Sequence, residues 1–482
     1  MKRGFLTVPR WDRRAILRFW VTFVVAVGFA GLVTAAILRL LDEPEVWVGL
    51  AIPFLAALAI GMFAVPVHML PAIVVVILAV FPTRLIPSGG PFNALPPMAL
   101  LLAVWVFRRL VLDQRSPRLE RFGPVTRVGP RLAVYTLAIL FAAWLFIAAF
   151  LAGGGETELG WSIAFVLSAL VPLLVFDARE EVALLRPVLI IVGALVGLNI
   201  FIEMLLGFSP VYGIVDVVLG ASREFEFSVY RARGAFSHPL FAGAFLTIPV
   251  CLAIGGWITT GKKWMLLCGA LAGAGILGTV SRGSIAAVAV AVAIALVVTP
   301  FFLGWQRITR WFALLALAAV GGLAVLNFGP LLDRADSIES RLSADVRDRA
   351  LTVAIDAAQY GGWFGTGPGT SGETGRLFDS IVIENSLLQL LISVGVPGLL
   401  FFLGFMGCLV LAAWSHRDLG VGMAVIAYVV AITGFNSLDA VRSMHILIGI
   451  LALLAVNDAR EMARPATDVR DSFPTPTSVT AG

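Results

Sequence analysis

Charge is what this sequence has least of. Only 13% of its 482 residues are Asp, Glu, Lys or Arg, about half the share of an ordinary soluble domain, which is near 25%. Lysine is almost missing: Lys2, Lys262 and Lys263 are the only three. Cysteine is equally scarce, and Cys251, Cys268 and Cys408 each sit inside an apolar run. That pattern excludes a disulfide framework and offers no metal-ligand spacing, so no metal is expected and the thiols read as small core hydrophobes. The net charge is +5, but no basic stripe interleaved with aromatics appears, which excludes nucleic acid as a partner. Strict apolar/polar alternation is absent too, and with it a membrane β-barrel.

What remains is apolar. Hydrophobic residues make up 59% of the chain, in continuous runs. Helices and closed barrels are the only structures that satisfy their backbone inside lipid, so these runs predict an all-α polytopic membrane protein. Candidate spans fall at 19–38, 46–65, 70–82, 94–107, 132–152, 160–176, 187–206, 239–258, 264–280, 284–303, 311–327, 384–413, 420–437 and 443–457. Several are shorter than the ~20 residues a straight span needs, so the expected count is about 12–14. The pair around Pro66 and Pro71 is the weakest. Either even number leaves both termini on one side. Basic residues concentrate in 1–18 and 108–131, which places that side in the cytoplasm. The expected organisation is a basic cytoplasmic segment 1–18, a transmembrane bundle 19–327, a large extracytoplasmic loop 328–383, C-terminal transmembrane helices 384–457 and a disordered cytoplasmic tail 458–482 rich in Pro, Thr, Ser and Asp.

The loop 328–383 is too long to be a connector, and loops of that length are usually functional or disordered. It carries Arg334, Arg341, Arg347, Arg349 and Arg376 on the side where the positive-inside tendency does not put them. A polyanionic ligand on the outer face accounts for such arginines. Residues 341–360 read as an amphipathic helix with Leu342, Val346, Ala350, Val353, Ala354 and Ala357 on one stripe, expected along the membrane surface. Its arginines fit a ligand site or a solvated face. Gly365-Thr366-Gly367-Pro368-Gly369 follows no strand and opens no βαβ unit, which rules out a dinucleotide loop. A turn that brings backbone close to a ligand remains.

Three further stretches carry chemistry. Arg231-Ala232-Arg233-Gly234-Ala235-Phe236-Ser237-His238-Pro239 opens a span, with Pro239 suited to the first helical turn. Guanidinium forks there fit phosphate oxygens in bidentate fashion, or else lipid headgroups or the loop acids Glu224 and Glu226. Ser281-Arg282-Gly283 lies between apolar runs. An arginine so placed faces a polar cavity or snorkels from an outer turn. Glu384-Asn385-Ser386 opens another span, where the carboxylate serves the helix dipole or acts as a general base. Arg341, His238 and Asn385 are secondary site candidates. Asn199, Glu203 and Asn436, near the span ends, read as helix–helix hydrogen-bonding groups.

Taken in order, Arg231 to Ala242, Ser281-Arg282-Gly283 and the run from Arg347 through Gly365–Gly369 to Glu384-Asn385-Ser386-Leu387-Leu388 and Gly395-Val396-Pro397-Gly398 resemble the O-antigen ligase and O-antigen polymerase family of bacterial membrane glycosyltransferases. The resemblance covers roughly 190–415. It implies a GT-C-like bundle in the inner membrane and extracytoplasmic glycan transfer, with no cofactor and no nucleotide sugar. The donor would be an undecaprenyl-diphosphate-linked oligosaccharide and the acceptor another glycan or a lipid, within membrane lipid, with polysaccharide export or chain-length proteins as candidate partners. Arg231, Arg233, Arg282, Arg347 and Arg349 would bind the diphosphate; Glu384, Arg282 and Arg347 would carry catalysis, with Glu384 taking the acceptor proton. Ligases of the family usually have His-Asn where Glu384-Asn385 stands, which favours a polymerase of repeat units over a ligase. A transporter of lipid-linked glycan would use the same arginines without chemistry, but would place polar groups at mid-span. A structural subunit of an export complex is the third reading.

Overall fold

The computed structural model describes residues 65–83, 92, 94–112, 128–219, 229–303, 308–336 and 338–457. The expected spans 19–38 and 46–65, the basic segment 1–18, most of 108–131, Arg223, Glu224, Glu226, the tail 458–482 and the side chain of Arg341 fall outside what is described. Among the described residues the elements are all helical, and the chain is an all-α polytopic membrane protein.

Every expected span from residue 70 onward is a helix. In chain order these are α1 (Leu70–Val80), α2 (Pro97–Phe107), α3 (Val128–Leu151), α4 (Glu156–Phe165), α5 (Arg179–Leu206), α6 (Pro210–Leu219), α7 (Pro239–Thr260), α8 (Lys263–Gly278), α9 (Arg282–Leu303), α10 (Ile308–Leu326), α11 (Gly329–Asp336), α12 (Ile338–Tyr360), α13 (Ser371–Asp379), α14 (Ser386–Ser415), α15 (Leu419–Ile432), α16 (Ser437–Ala440) and α17 (Ile446–Val456). Among the described residues, seven helices are long and apolar enough to cross a membrane by length and composition: α3, α4 with its π and 3-10 extension to Leu174, α5, α7, α9, α10 and α14.

Helix α7 is the centre of the bundle, with 94% of its most apolar stretch buried, while α10 at the edge has 6%. Around α7 pack α5, α8, α9 and α15. Small residues allow this closeness: an added Cβ on Gly197 of α5 would lie 2.4 Å from the Leu271 carbonyl oxygen of α8. At one end the helices are tied by charge, with Arg186 of α5 donating two bonds of 2.6 and 2.7 Å to Asp418, whose carboxylate also caps α15. Arg109 meets the buried Glu181 at 3.3 Å at that same end.

At the other end lie the C-termini of α5, α8 and α15 and the N-termini of α7, α9 and α14, and over them the segment 327–385. That segment is itself helical, as α11, α12 and α13. Helix α12 begins at Ile338, three residues before the expected start. Its apolar stripe does not lie on a membrane surface. Ala350, Val353, Ala354 and Ala357 are buried against Ile381, Ile383 and Ile392, with Val346 and Leu388 alongside, so the stripe closes a small second core on α14.

Helix α14 breaks at Gly395, whose φ of 69° and ψ of −174° are not helical. The glycine-rich turn 361–369 enters this break. Val396 N–H donates to Trp363 O at 2.9 Å, and Thr366 and Gly367 N–H donate to Ile392 O and Ser393 O at 2.9 Å each. An added Cβ at Gly365 would sit 2.4 Å from Ser393 O. Gly365 therefore admits α14, and Gly367 and Gly369 admit Glu158 and Trp161 of α4; at these three glycines the expected close approach is made by the chain itself and not by a ligand.

Candidate functional site

The floor of the site is the turn 230–238 between α6 and α7. Glu203, on the last turn of α5 and fully buried, grips it. One carboxylate oxygen accepts from Arg233 N–H and from Tyr230 Oη, each at 3.0 Å, and the other accepts from Gly234 N–H at 2.9 Å. Gly234 has φ +60°, and a Cβ there would stand 3.0 Å from Ile200 Cγ1, one turn back along α5. Glu203, expected to bond a neighbouring helix, instead anchors a loop. The Arg233 guanidinium stacks 4.1 Å from the centre of the Tyr212 ring, a contact worth ~1–2 kcal/mol when desolvated. Tyr212 in turn donates its hydroxyl to Ala235 O at 3.0 Å. Arg231 donates Nε to Thr279 O at 3.2 Å, and Ala232 N–H donates to Gly278 O at 3.1 Å. These bonds join the turn to the 279–282 turn between α8 and α9. Arg231 and Arg233 are buried, at 6% and 7% exposure.

His238 caps α7: its Nδ1 accepts from Leu240 N–H at 3.2 Å. An accepting Nδ1 is unprotonated, which leaves the ring proton on Nε2. Burial, then the nearby charges of Arg231, Arg233 and Arg334, push its pKa down to about 4, so the imidazole is neutral near pH 7. Arg334, on α11 of the overlying segment, thereby belongs to the same neighbourhood. In the sequence it is one of the loop arginines that a polyanionic ligand would account for.

The mouth of the site is formed by α12 and the start of α14. Arg347 Nη2 stands 4.0 Å from Glu384 Oε2, with the side chains 55% and 40% exposed. Two residues on, Arg349 pairs with Asp379 at 3.1 Å, also at the surface. Asn385 is the N-cap of α14, its side-chain oxygen accepting from Leu387 and Leu388 N–H at 2.9 and 3.2 Å. The helix start is served by Asn385, and Glu384 stands just outside it. Its setting is open to solvent, unlike the dry pocket that suits a carboxylate base best.

The turn 433–437 links floor and mouth. Ser386 Oγ donates to Phe435 O at 2.8 Å, and the Phe435 ring packs edge-on to Phe241 of α7 at 5.4 Å. An added Cβ on Gly283 would lie 3.8 Å from Gly434 Cα, which sets this turn beside Arg282. Arg282 is exposed. The segments carrying Arg231, Arg233, Arg282, Arg347 and Glu384 thus share one end of the bundle.

A second polar group borders the mouth. Asp439 accepts from Ser371 Oγ at the head of α13. Burial raises its pKa, against the opposing effects of Ser371, Arg442 and Trp161. Trp161 Nε1 donates to Leu438 O at 3.2 Å, and the buried His445 ring bonds the same carbonyl at 2.7 Å. This group pins the overlying segment to α4 and α17. None of its members stood out in the sequence: Ser371 is one of several small polar loop residues, and Asp439 and His445 sit in a short turn between apolar runs.

Fold and site together define a helical membrane protein with an arginine-rich, carboxylate-bearing mouth at one end. Residues 267–403 match the family model described as O-Antigen ligase. That match supports an O-antigen ligase/polymerase assignment for the chain, and with it glycan transfer of that general type. The matched stretch contains Arg282, Arg347 and Glu384 and stops short of the floor turn. No curated protein matches the chain.

Proposed function

We propose that this protein transfers a glycan from an undecaprenyl-diphosphate-linked donor to an acceptor sugar hydroxyl on the extracytoplasmic face of the inner membrane, polymerising repeat units of a surface polysaccharide. The observation that carries the reading is the Arg347–Glu384 pair at 4.0 Å, at the mouth and within the stretch that matches the O-Antigen ligase model. A donor diphosphate needs fixed cations where its charge grows as it leaves. Arg347 and Arg282 are the exposed cations that would touch it, with Arg349 at the rim. Arg231 and Arg233 would add positive potential from the floor. Glu384 takes the acceptor proton. The acceptor oxygen then bonds to the anomeric carbon, the bond from that carbon to phosphate oxygen breaks, and the lipid diphosphate departs with the electron pair. Bound substrate would exclude the water that now reaches Glu384 and so strengthen these interactions.

The description of the matched family favours the ligase as a second reading, with a lipid-anchored acceptor. Purified protein supplied with lipid-diphosphate-linked repeat units tests both readings. The polymerase reading expects longer glycans without added nucleotide, and the ligase reading expects product only when a lipid acceptor is present. Arg282→Ala and Arg347→Ala should lose ~100-fold or more of activity, as removal of transition-state charge stabilisation does, while the fold stays intact. Full activity in both variants would overturn the assignment.

A further inference from the structure

We infer that the turn 361–369 is a re-entrant loop seated in the leaflet on the site's side of the membrane, with Trp363 and Phe364 facing lipid acyl chains. The inference does not depend on the glycan chemistry proposed above.

Depth is the first observation. The turn bonds to Ile392, Ser393 and Val396 at the α14 break, not to the head of that helix. Val394 lies about 12 Å along the axis from Ser386 at ~1.5 Å per residue. On its other side the turn runs along α3: an added Cβ at Gly367 would lie 2.9 Å from Ala152, just past the end of that helix, and the tip at Phe364 reaches deeper. The Phe364 ring lies 6.1 Å from the ring of Trp144, and Trp144 is about 10 Å inside the end of that spanning helix on the same scale. Trp144 donates Nε1 to Val394 O at 2.7 Å, which satisfies a carbonyl at the break.

Backbone accounting is the second. Irregular backbone survives at membrane depth where the protein shields it and pairs its polar groups. Of the eight backbone N–H groups in 361–369, six are paired with backbone carbonyls: Gly361, Gly362, Trp363 and Phe364 bond Ala357, Gln359, Ala358 and Gly361 at 2.8–3.1 Å, and Thr366 and Gly367 bond α14. Trp363 holds φ +65°, a left-handed conformation that costs a non-glycine residue ~1 kcal/mol or more. Its carbonyl is held by Val396 N–H at 2.9 Å, which fixes the backbone that carries the ring.

Side-chain exposure is the third. Trp363 is 43% and Phe364 56% exposed. They continue the apolar outer surface of α3 and α14, where Ile147, Phe150 and Leu400 are exposed too. Tyr360 and Phe378, paired edge-on at 5.9 Å, lie next along the same rim.

The test uses the full chain in phospholipid vesicles, with Cys251, Cys268 and Cys408 replaced by Ala. A spin label is placed at Phe364→Cys and, for a water reference, at Asp356→Cys on the exposed face of α12. The label at 364 should collide preferentially with oxygen and be shielded from a water-soluble nickel chelate, while the label at 356 shows the reverse. A separate protein with p-benzoylphenylalanine at position 364, which keeps an aromatic ring there, should give phospholipid adducts on illumination. Nickel accessibility at 364 equal to that at 356, or no lipid adduct, would overturn the inference.

Discussion

The floor and the mouth of the site use the same residue types in opposite ways. In the floor, Arg231 and Arg233 are buried, and their turn is held by Glu203 through three hydrogen bonds of 2.9–3.0 Å. At the mouth, Arg347 and Glu384 are half exposed and stand 4.0 Å apart, a separation typical of surface pairs worth under ~1 kcal/mol. A carboxylate that fixes a loop must be dry and saturated with donors. One that exchanges a proton with substrate must have an unused side. On the proposed function, the difference separates what holds the site in place from what would meet the ligand.

Substitutions at three positions break or sharpen this contrast. The largest effect is expected from Gly395→Ala. A Cβ there would lie 2.3 Å from Trp363 O, and the backbone conformation alone costs a non-glycine residue about 3 kcal/mol. The turn should leave the α14 break, and the mouth should come apart while the floor stays ordered. Proteolysis of the overlying segment in detergent, faster in the variant than in the parent, checks this; equal rates would show that the break does not anchor the mouth. Next is Glu203→Gln. An amide offers a single acceptor oxygen, so one of the floor's donors is left unpaired at a cost of ~1–3 kcal/mol. The melting temperature should fall and donor affinity should weaken, with Glu203→Asp restoring part of both. An unchanged melting curve would mean the floor is held by other contacts.

The smallest effect concerns His238. Its pKa in the folded protein, about 4, lies below the free value of 6.5. The unfolded chain therefore binds the proton first as pH drops. The stability contribution is complete above pH 6.5 and is lost as pH falls toward 4. His238→Asn keeps a side-chain cap for α7 and should flatten the melting temperature over that window. A variant with the parent's pH slope would remove His238 as its source.

Much of this architecture was legible in the sequence, for reasons the residues make plain. Apolar runs announce helices because lipid leaves the backbone no other choice. The stripe of α12 was readable from its spacing, although what it packs on was not: Ile381, Ile383 and Ile392 lie beyond the glycine turn. That the segments carrying Arg282, Arg347 and Glu384 lie at one end of the bundle followed from motif order. The role of Glu203 was hidden, since its partners lie some 30 residues away in a loop and nothing in a periodic apolar run marks a carboxylate as a loop anchor. Arg334 was legible as one of the loop arginines but not as a neighbour of His238, and Asp439 and His445 were invisible for a similar reason. A lone polar residue acquires meaning only from the chain brought against it. The break in α14 could be suspected from Gly395 and Pro397, but the turn that fills it could not.

The most direct measurement is kcat/KM for glycan elongation by Arg347→Ala, Glu384→Gln and the double variant, each verified as folded. If the two groups serve one transition state, each single change removes most of the activity and the double change removes little more, because residues acting as a unit are strongly non-additive. Near-parental activity in either single variant would contradict the account.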